Sequence, residues 1–361
     1  MSRSARPRLV VERWTHPVAA EILDANEIEL IPLDLTVGAE SNWAAMESAQ
    51  GYQAATRTDL SRAADGRQFL ANAELVARCG QLLAICSAGA GYDVIDVEAC
   101  TRAGIVVCNN SGPGAEAVAE HALGFMLDLA KKITLADRVL RRGDLGDRTA
   151  LRGSQLSGKT VGVIGMGAIG RRLIELCVPF GMEVLVFDPY VDAESVRTHG
   201  GAPVSLAELL ERADFVQVTC PLTDETRGLI GPSEFAAMKS SAFFITTARG
   251  QVHDERALYD ALADGRIAGA GLDVFHEEPP RADNPLLRLD NVVATPHTAG
   301  ITVEAVRAIA VATARQWKTI FEGGVPPRLL NPEVWPRYRE RFAETFGFHP
   351  MTWDHLSTIA D

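Results

Sequence analysis

The stretch "VGVIGMGAIGRR", residues 161–172, decides the fold. A β-branched apolar run leads into Gly165-x-Gly167-x-x-Gly170, and a helix-forming segment follows at once. This order predicts a strand, a tight turn and the start of a helix. Gly165 permits the turn, Gly167 lets the backbone approach a pyrophosphate, and Gly170 lets the helix pack close to the strand. The N–H groups at the helix start, at Ala168, Ile169 and Gly170, then face the phosphates. A glycine-rich turn with no ligand is the plain alternative. The next candidate strand weighs against it. "VLVFDPY" carries Asp188, eighteen residues after Gly170, at the strand end. A carboxylate there accepts hydrogen bonds from the adenosine ribose and repels a 2′-phosphate. Pro189 and Tyr190 follow it, with no arginine to receive that phosphate. The expected cofactor is NAD, not NADP.

Outward from this loop, β-rich runs alternate with helical stretches. After it come "EVLVFD" (183–188), a short run near 202–205, "DFVQVTC" (214–220), "AFFITTA" (242–248), "GAGLDV" (269–274) and "NVVATP" (291–296). Before it come "RLVVE" (8–12), "IELIPL" (28–33), "YQAA" (52–55), "LLAICS" (82–87) and "GIVVCN" (104–109). Alternation of this kind predicts parallel α/β sheets. Between the two series lies one long amphipathic helix over 116–142, without internal Gly-Pro punctuation, and a further helix spans 303–323. The expectation is two α/β domains with these helices as crossings and a small-molecule cleft between them. A length of 361 residues also suits two domains.

Composition narrows the function. Hydrophobic residues make up 47% and charged residues 23%, as in globular proteins. The net charge of −12 disfavours nucleic acid and anionic membrane as partners. None of the six cysteines forms a Cys-x-x-Cys pair, so they read as reduced core thiols. "MSRSARPRLVVERW" has no apolar stretch of signal-peptide length. No run reaches the ~20 apolar residues of a membrane span. A cytoplasmic protein is expected. No histidine pair has metal-ligand spacing, so no metal is expected.

Three successive candidate strands end in chemistry. "FFITTARG" ends in Arg249, "GAGLDVFHEEPP" carries Asp273 with Glu277 and Glu278 beyond it, and "NVVATPH" ends in His297. In an open parallel sheet ligands sit at the carboxyl ends of strands. A cation, a carboxylate and an imidazole there suit oxidation of a 2-hydroxy acid or reduction of a 2-keto acid. The hydroxyl proton leaves as the hydride does, which calls for a base working near neutral pH. A carboxylate on the far ring nitrogen fixes the tautomer, and an arginine grips a carboxylate or polarises a carbonyl.

These motifs, with "AGAGYDVID" (88–96), "AVAEHALGFML" (117–127), "LSGKTVGVIGMGAIGRR" (156–172) and "PLTDETRGLI" (221–230), resemble the D-2-hydroxyacid dehydrogenase family over roughly residues 50–330. The resemblance implies Arg249 as the substrate-orienting residue, His297 as the acid/base, and Glu278, just before a proline, as its carboxylate partner. It implies Asp273 near the nicotinamide amide. Cys220 and Pro221 would line the adenine side and Ala248 would also lie at the cofactor, with the Cys220 thiol inert. The backbone N–H groups of Ala90 and Gly91 would hold the substrate carboxylate, and Arg57 would be a substrate-contacting cation. It also implies two Rossmann-like doubly wound domains. A nucleotide domain, 113–296, is inserted into a substrate domain built from 1–112 and 297–361. A homodimer is implied, with the 116–142 helix in its interface. Some relatives carry a tryptophan near Leu145, where this chain has "GDLG". Asp254 is expected to cap the helix that follows it. His121 reads as packing and His276 as loop, while His253 stands where relatives carry an apolar residue. An NAD-sensing co-repressor that keeps the same three residues is the competing function. Formate dehydrogenase relatives place glutamine where Glu278 stands.

Overall fold

The computed structural model describes residues 6–56, 60–61, 63, 66–144 and 146–352. They form two compact units. Met1–Gly114 with Val303–Asp361 make the first, and Ala115–Thr302 the second. Both are doubly wound parallel α/β sheets, and the second lies within the chain of the first. The expected boundaries fell at 112/113 and 296/297; the structure divides at 114/115 and 302/303, each time just before a long helix.

The first unit has strands β1 (Arg8–Val11), β2 (Glu29–Pro32), β3 (Gly51–Ala54), β4 (Ala84–Ser87) and β5 (Val106–Cys108), in the order β2-β1-β3-β4-β5. The second has β6 (Thr160–Ile164), β7 (Glu183–Phe187), β8 (Ala202–Pro203), β9 (Phe215–Val218), β10 (Phe243–Thr246), β11 (Gly269–Leu272) and β12 (Val292–Ala294). Their order is β12-β11-β10-β9-β6-β7-β8, so the winding reverses between β6 and β9. That reversal is the topological switch point where such sheets bind ligands.

Every residue of β6, β9 and β11 is buried. A sheet covered by helices on both faces requires this, and it explains the largely apolar runs. Two glycines permit the closest helix contacts. A Cβ at Gly162 would lie 2.4 Å from Leu209, and one at Gly271 2.8 Å from Phe125. The helix Ala115–Lys131, which carries Phe125, can therefore lie close to β11.

The single helix expected over 116–142 is two helices. Ala115–Lys131 ends at Lys132, whose φ is 57°, and Ile133–Arg142 starts anew. The cause is a local cap, not a breaker residue. Asp128 accepts hydrogen bonds from the Thr134 N–H at 2.7 Å and the Thr134 hydroxyl at 2.5 Å. Such side-chain bonds compete with helix propagation. No side chain of Ile133–Arg142 is buried.

The aromatic tail is also helical. Trp335–Phe346 buries Trp335, Tyr338 and Phe342 in the core of the first unit. Its Arg341 donates to the carbonyls of Ala103 and Gly104, satisfying the end of the helix Val97–Ala103. Leu145 and Arg57 lie outside the described residues.

Candidate active site

The loop after β6 separates three glycines by what each needs. Gly165 has φ 95°, and a Cβ there would sit 2.7 Å from the Cys220 nitrogen. Gly170 would put a Cβ 2.2 Å from the Gly165 carbonyl oxygen. Both are demanded by the protein itself. Gly167 has φ −73° and would meet nothing within 4 Å. No protein contact requires glycine there. The helix Ala168–Cys177 begins at Gly167 with no side-chain cap, which leaves its first N–H groups for an anion. Gly165→Ala is expected to destabilise the fold by more than 2 kcal/mol, as left-handed backbone and overpacking combine. Gly167→Ala is expected to keep the melting temperature within about 2 °C and to weaken NADH binding about tenfold or more. Thermal melts and NADH fluorescence titration of both variants check this pair.

Asp188 follows β7 and is half-buried. Its carboxylate accepts from the Met166 N–H at 2.7 Å and the Tyr190 N–H at 2.9 Å, so it also fastens the glycine loop. Each oxygen keeps a further lone pair for a hydroxyl. Across the switch point, the Thr219 hydroxyl donates to the Gly165 carbonyl at 2.6 Å. Burial pushes the Cys220 thiol up to about 12, which makes it unreactive at neutral pH. Pro221 is exposed and Ala248 buried, at the ends of neighbouring strands.

Arg249, Glu278 and His297 come together at the ends of β10, β11 and β12. His297 Nδ1 and Glu278 Oε2 are 2.7 Å apart. The Glu278 side chain is only 5% exposed and that of His297 30%. Burial alone raises the Glu278 carboxyl. The hydrogen bond and charge of His297, the Phe275 N–H and the Arg249 charge outweigh it and hold the carboxyl below its ordinary value. Glu278 is thus ionised at neutral pH and accepts the Nδ1 proton, leaving Nε2 as the basic nitrogen. Gly250 brings Arg249 to this loop. A Cβ on Gly250 would lie 2.1 Å from the Phe275 carbonyl, so only glycine lets the two turns touch. The half-buried Arg249 uses Nη1 on the Ala248 carbonyl at 2.8 Å.

Asp273, expected near the nicotinamide amide, lies at the end of β11. It is 1% exposed, and its bonds go to the turn that carries His297. Oδ1 accepts from the Thr295 hydroxyl at 2.5 Å and the Thr298 N–H at 2.8 Å, and Oδ2 from the Ala299 N–H at 3.0 Å. Its backbone carbonyl takes the His297 N–H at 2.7 Å. The turn needs this, because His297 has φ 56°, a conformation that costs a non-glycine residue about 1–2 kcal/mol. His121, which the sequence reads as packing, and Thr295, which it passes over, join this network. The threonine two residues before His297 was the signal available.

His253 and His276 contact each other rather than the trio. His253 is buried against Phe244, ring centroids 5.3 Å apart. Burial, then His276, pushes it down to about 3, so it is neutral at ordinary pH. His276 Nε2 lies 2.7 Å from the His253 carbonyl and donates to it. Asp254 accepts from the Ala257 N–H and caps the helix Glu255–Ala263. Among the described residues no group of three or more His, Cys, Asp or Glu could hold a metal ion. No helix of the described residues is long and apolar enough to cross a membrane.

In the first unit the loop after β4 is tied back by its carbonyls. Gly89 accepts from the Asn110 N–H at 2.8 Å, Ala90 from Asn109 Nδ2 at 2.9 Å, and Gly91 from the Ser87 hydroxyl. In a trans peptide the N–H opposes the carbonyl. The N–H groups of Ala90 and Gly91 therefore point away from these anchors.

A doubly wound unit with a glycine loop opening a helix and an acid after the second strand has the form of a dinucleotide-binding domain. Comparison with known proteins specifies which kind. Residues 123–299 match the model of the D-isomer specific 2-hydroxyacid dehydrogenase NAD binding domain. The chain is 42% identical over 259 residues to D-3-phosphoglycerate dehydrogenase of Methanocaldococcus jannaschii, covering 72% of this chain and 49% of that one. It is 36% identical over 342 residues to glyoxylate reductase of Aeropyrum pernix, covering 91% of this chain and 97% of that protein. The crystal structure of a glyoxylate reductase from Paecilomyes thermophila superposes with a TM-score of 0.81 at 28% identity, covering 91% of this chain and 99% of that one. The chain thus spans about half the length of the phosphoglycerate dehydrogenases it matches and nearly the whole of that archaeal glyoxylate reductase. It belongs to the D-isomer specific 2-hydroxyacid dehydrogenase family, and its second unit is that family's NAD binding domain.

Proposed function

We propose that the protein is an NAD-dependent D-2-hydroxyacid dehydrogenase that also runs as a 2-keto acid reductase. One observation carries this reading: the His297–Glu278 pair at 2.7 Å, beside Arg249 at the end of the neighbouring strand. The bound nicotinamide would take the hydride from substrate C2 as NAD⁺ in oxidation and give it back as NADH in reduction. His297 Nε2 removes the hydroxyl proton in oxidation and returns it to the carbonyl oxygen in reduction. Glu278 holds the ring by Nδ1 and compensates the imidazolium charge. Arg249 aims its guanidinium at the carbonyl oxygen, where negative charge develops. Gly165, Gly167, Ala168, Ile169 and Gly170 would hold the pyrophosphate and Asp188 the ribose, with Cys220, Pro221 and Ala248 lining the same strand ends. Gly167 supports this, being open to a ligand and otherwise unneeded. In the first unit, the N–H groups of Ala90 and Gly91 are the candidate donors to a substrate carboxylate.

Phosphoglycerate and the glyoxylate–hydroxypyruvate pair are the leading substrates, since relatives bearing both kinds of name match this chain. We place the protein in the cytoplasm as a homodimer; the exposure of Ile133 and Leu140, 57% and 62%, supports a partner for their helix. The test is a steady-state panel of glyoxylate, hydroxypyruvate, phosphohydroxypyruvate and larger apolar 2-keto acids with NADH and NADPH. Turnover with NADH at least tenfold above that with NADPH is expected. NADH binding without turnover on any acid would sink the reading and leave an NAD-sensing protein in its place.

A further inference from the structure

We propose that His121 is a positioning residue for the turn that carries His297, acting through Thr295 and Asp273; this rests on the acid/base role proposed above. His121 sits in the helix Ala115–Lys131, far from His297 in sequence. Its Nε2 lies 3.0 Å from the Thr295 hydroxyl oxygen, and that hydroxyl lies 2.5 Å from Asp273 Oδ1. A threonine hydroxyl has one proton to give. The shorter bond, to a carboxylate, is the charge-assisted one and takes that proton. His121 Nε2 must then be the donor to the Thr295 oxygen. The chain of donation is His121 to Thr295 to Asp273, and it ends on the carboxylate that also accepts the N–H groups of Thr298 and Ala299.

Asp273 is buried, and a buried carboxylate needs compensation on every side. Among the described residues its ion-pair contact is His121 Nε2, at 3.9 Å. His121 thus supplies a donor, through Thr295, to the group that over-determines the strained turn. Its ring is set in place by an edge contact with Phe125, centroids 4.6 Å apart and planes at 86°. From the helix the network acts, through Thr295 and Asp273, on the backbone of residues 295–299. Loss of His121 frees the Thr295 oxygen and loosens the placement of His297, and so affects the proton-transfer step more than binding.

The experiment compares H121F, H121Q and T295V with the wild type, using the 2-keto acid that the wild type reduces fastest. Phenylalanine keeps the ring against Phe125 and removes the donor. Glutamine places an N–H near the position of Nε2, and valine removes the hydroxyl bridge at constant shape. H121F and T295V are each expected to lower kcat about tenfold, with keto acid KM and NADH Kd within about twofold of wild type. H121Q is expected to recover most of the loss. The H121F/T295V double variant should be no worse than either single, since one path is cut twice. Wild-type kcat in both H121F and T295V overturns the role, and so does an H121Q as impaired as H121F, which marks mere packing. Should H121F fail to fold, T295V and H121Q still decide the matter. Absence of wild-type turnover overturns the proposed reaction and this role together, and is told apart by the wild-type control.

Discussion

His297→Asn is expected to lower kcat for 2-keto acid reduction by about 10²–10⁴, the worth of a general acid/base, while NADH still binds. Asparagine is the informative replacement for two physical reasons. It tolerates the left-handed backbone at φ 56°, so the turn survives, whereas alanine would confound loss of the ring with strain. Its amide can still donate to Glu278 from near the Nδ1 position, so the buried carboxylate keeps a partner and the local charge balance holds. What disappears is Nε2 alone. The comparison is made with NADH Kd and melting temperature measured on the same preparations. A variant that keeps even a tenth of wild-type turnover would remove His297 from proton transfer. A variant that loses NADH binding in parallel would mean that the turn itself had collapsed.

The sequence made legible whatever one local segment dictates. Gly165 and Gly170 are forced by a turn and a close contact within a few residues of each other, and Asp188 closes the neighbouring strand. Arg249, Glu278 and His297 end consecutive strands, and parallel neighbours place consecutive strand ends side by side. What stayed hidden depends on contacts between distant segments. Nothing near Asp273 announces that its carboxylate closes a turn twenty-two residues on. The helical spacing around His121 is that of a packing position, and only the approach of the helix to β12 gives its Nε2 a partner. Gly250 looks like an ordinary turn glycine until the Phe275 loop is laid against it. The break at Lys132 escaped notice for a different reason. It comes from a side-chain cap, Asp128 to Thr134, and not from a glycine or proline.

Arg249→Gln is expected to reduce kcat/KM by about 10³, and Arg249→Lys by about 10², with NADH Kd little changed. The size follows from what the guanidinium provides. A charge-assisted hydrogen bond to a substrate oxygen is worth about 1.5–3 kcal/mol, and a two-pronged contact provides two of them. Two such bonds amount to about 4 kcal/mol, or nearly 10³ in rate. Lysine restores the charge but not the planar fork, so it recovers only part. A second effect is expected on the acid side. Arg249 helps hold the Glu278 carboxyl below its ordinary value, together with His297 and the Phe275 N–H. Removing the cation lets that carboxyl rise, because burial then meets less opposition. Glu278 would begin to protonate at a higher pH on acidification, and the His297 anchor would be lost there first. Activity of Arg249→Gln should therefore fail at a higher pH on the acid side than that of Arg249→Lys, which keeps the charge. Superimposable acid limbs for the two variants would show that Arg249 touches the substrate without influencing the pair. Unchanged kcat/KM in both would show that it does neither.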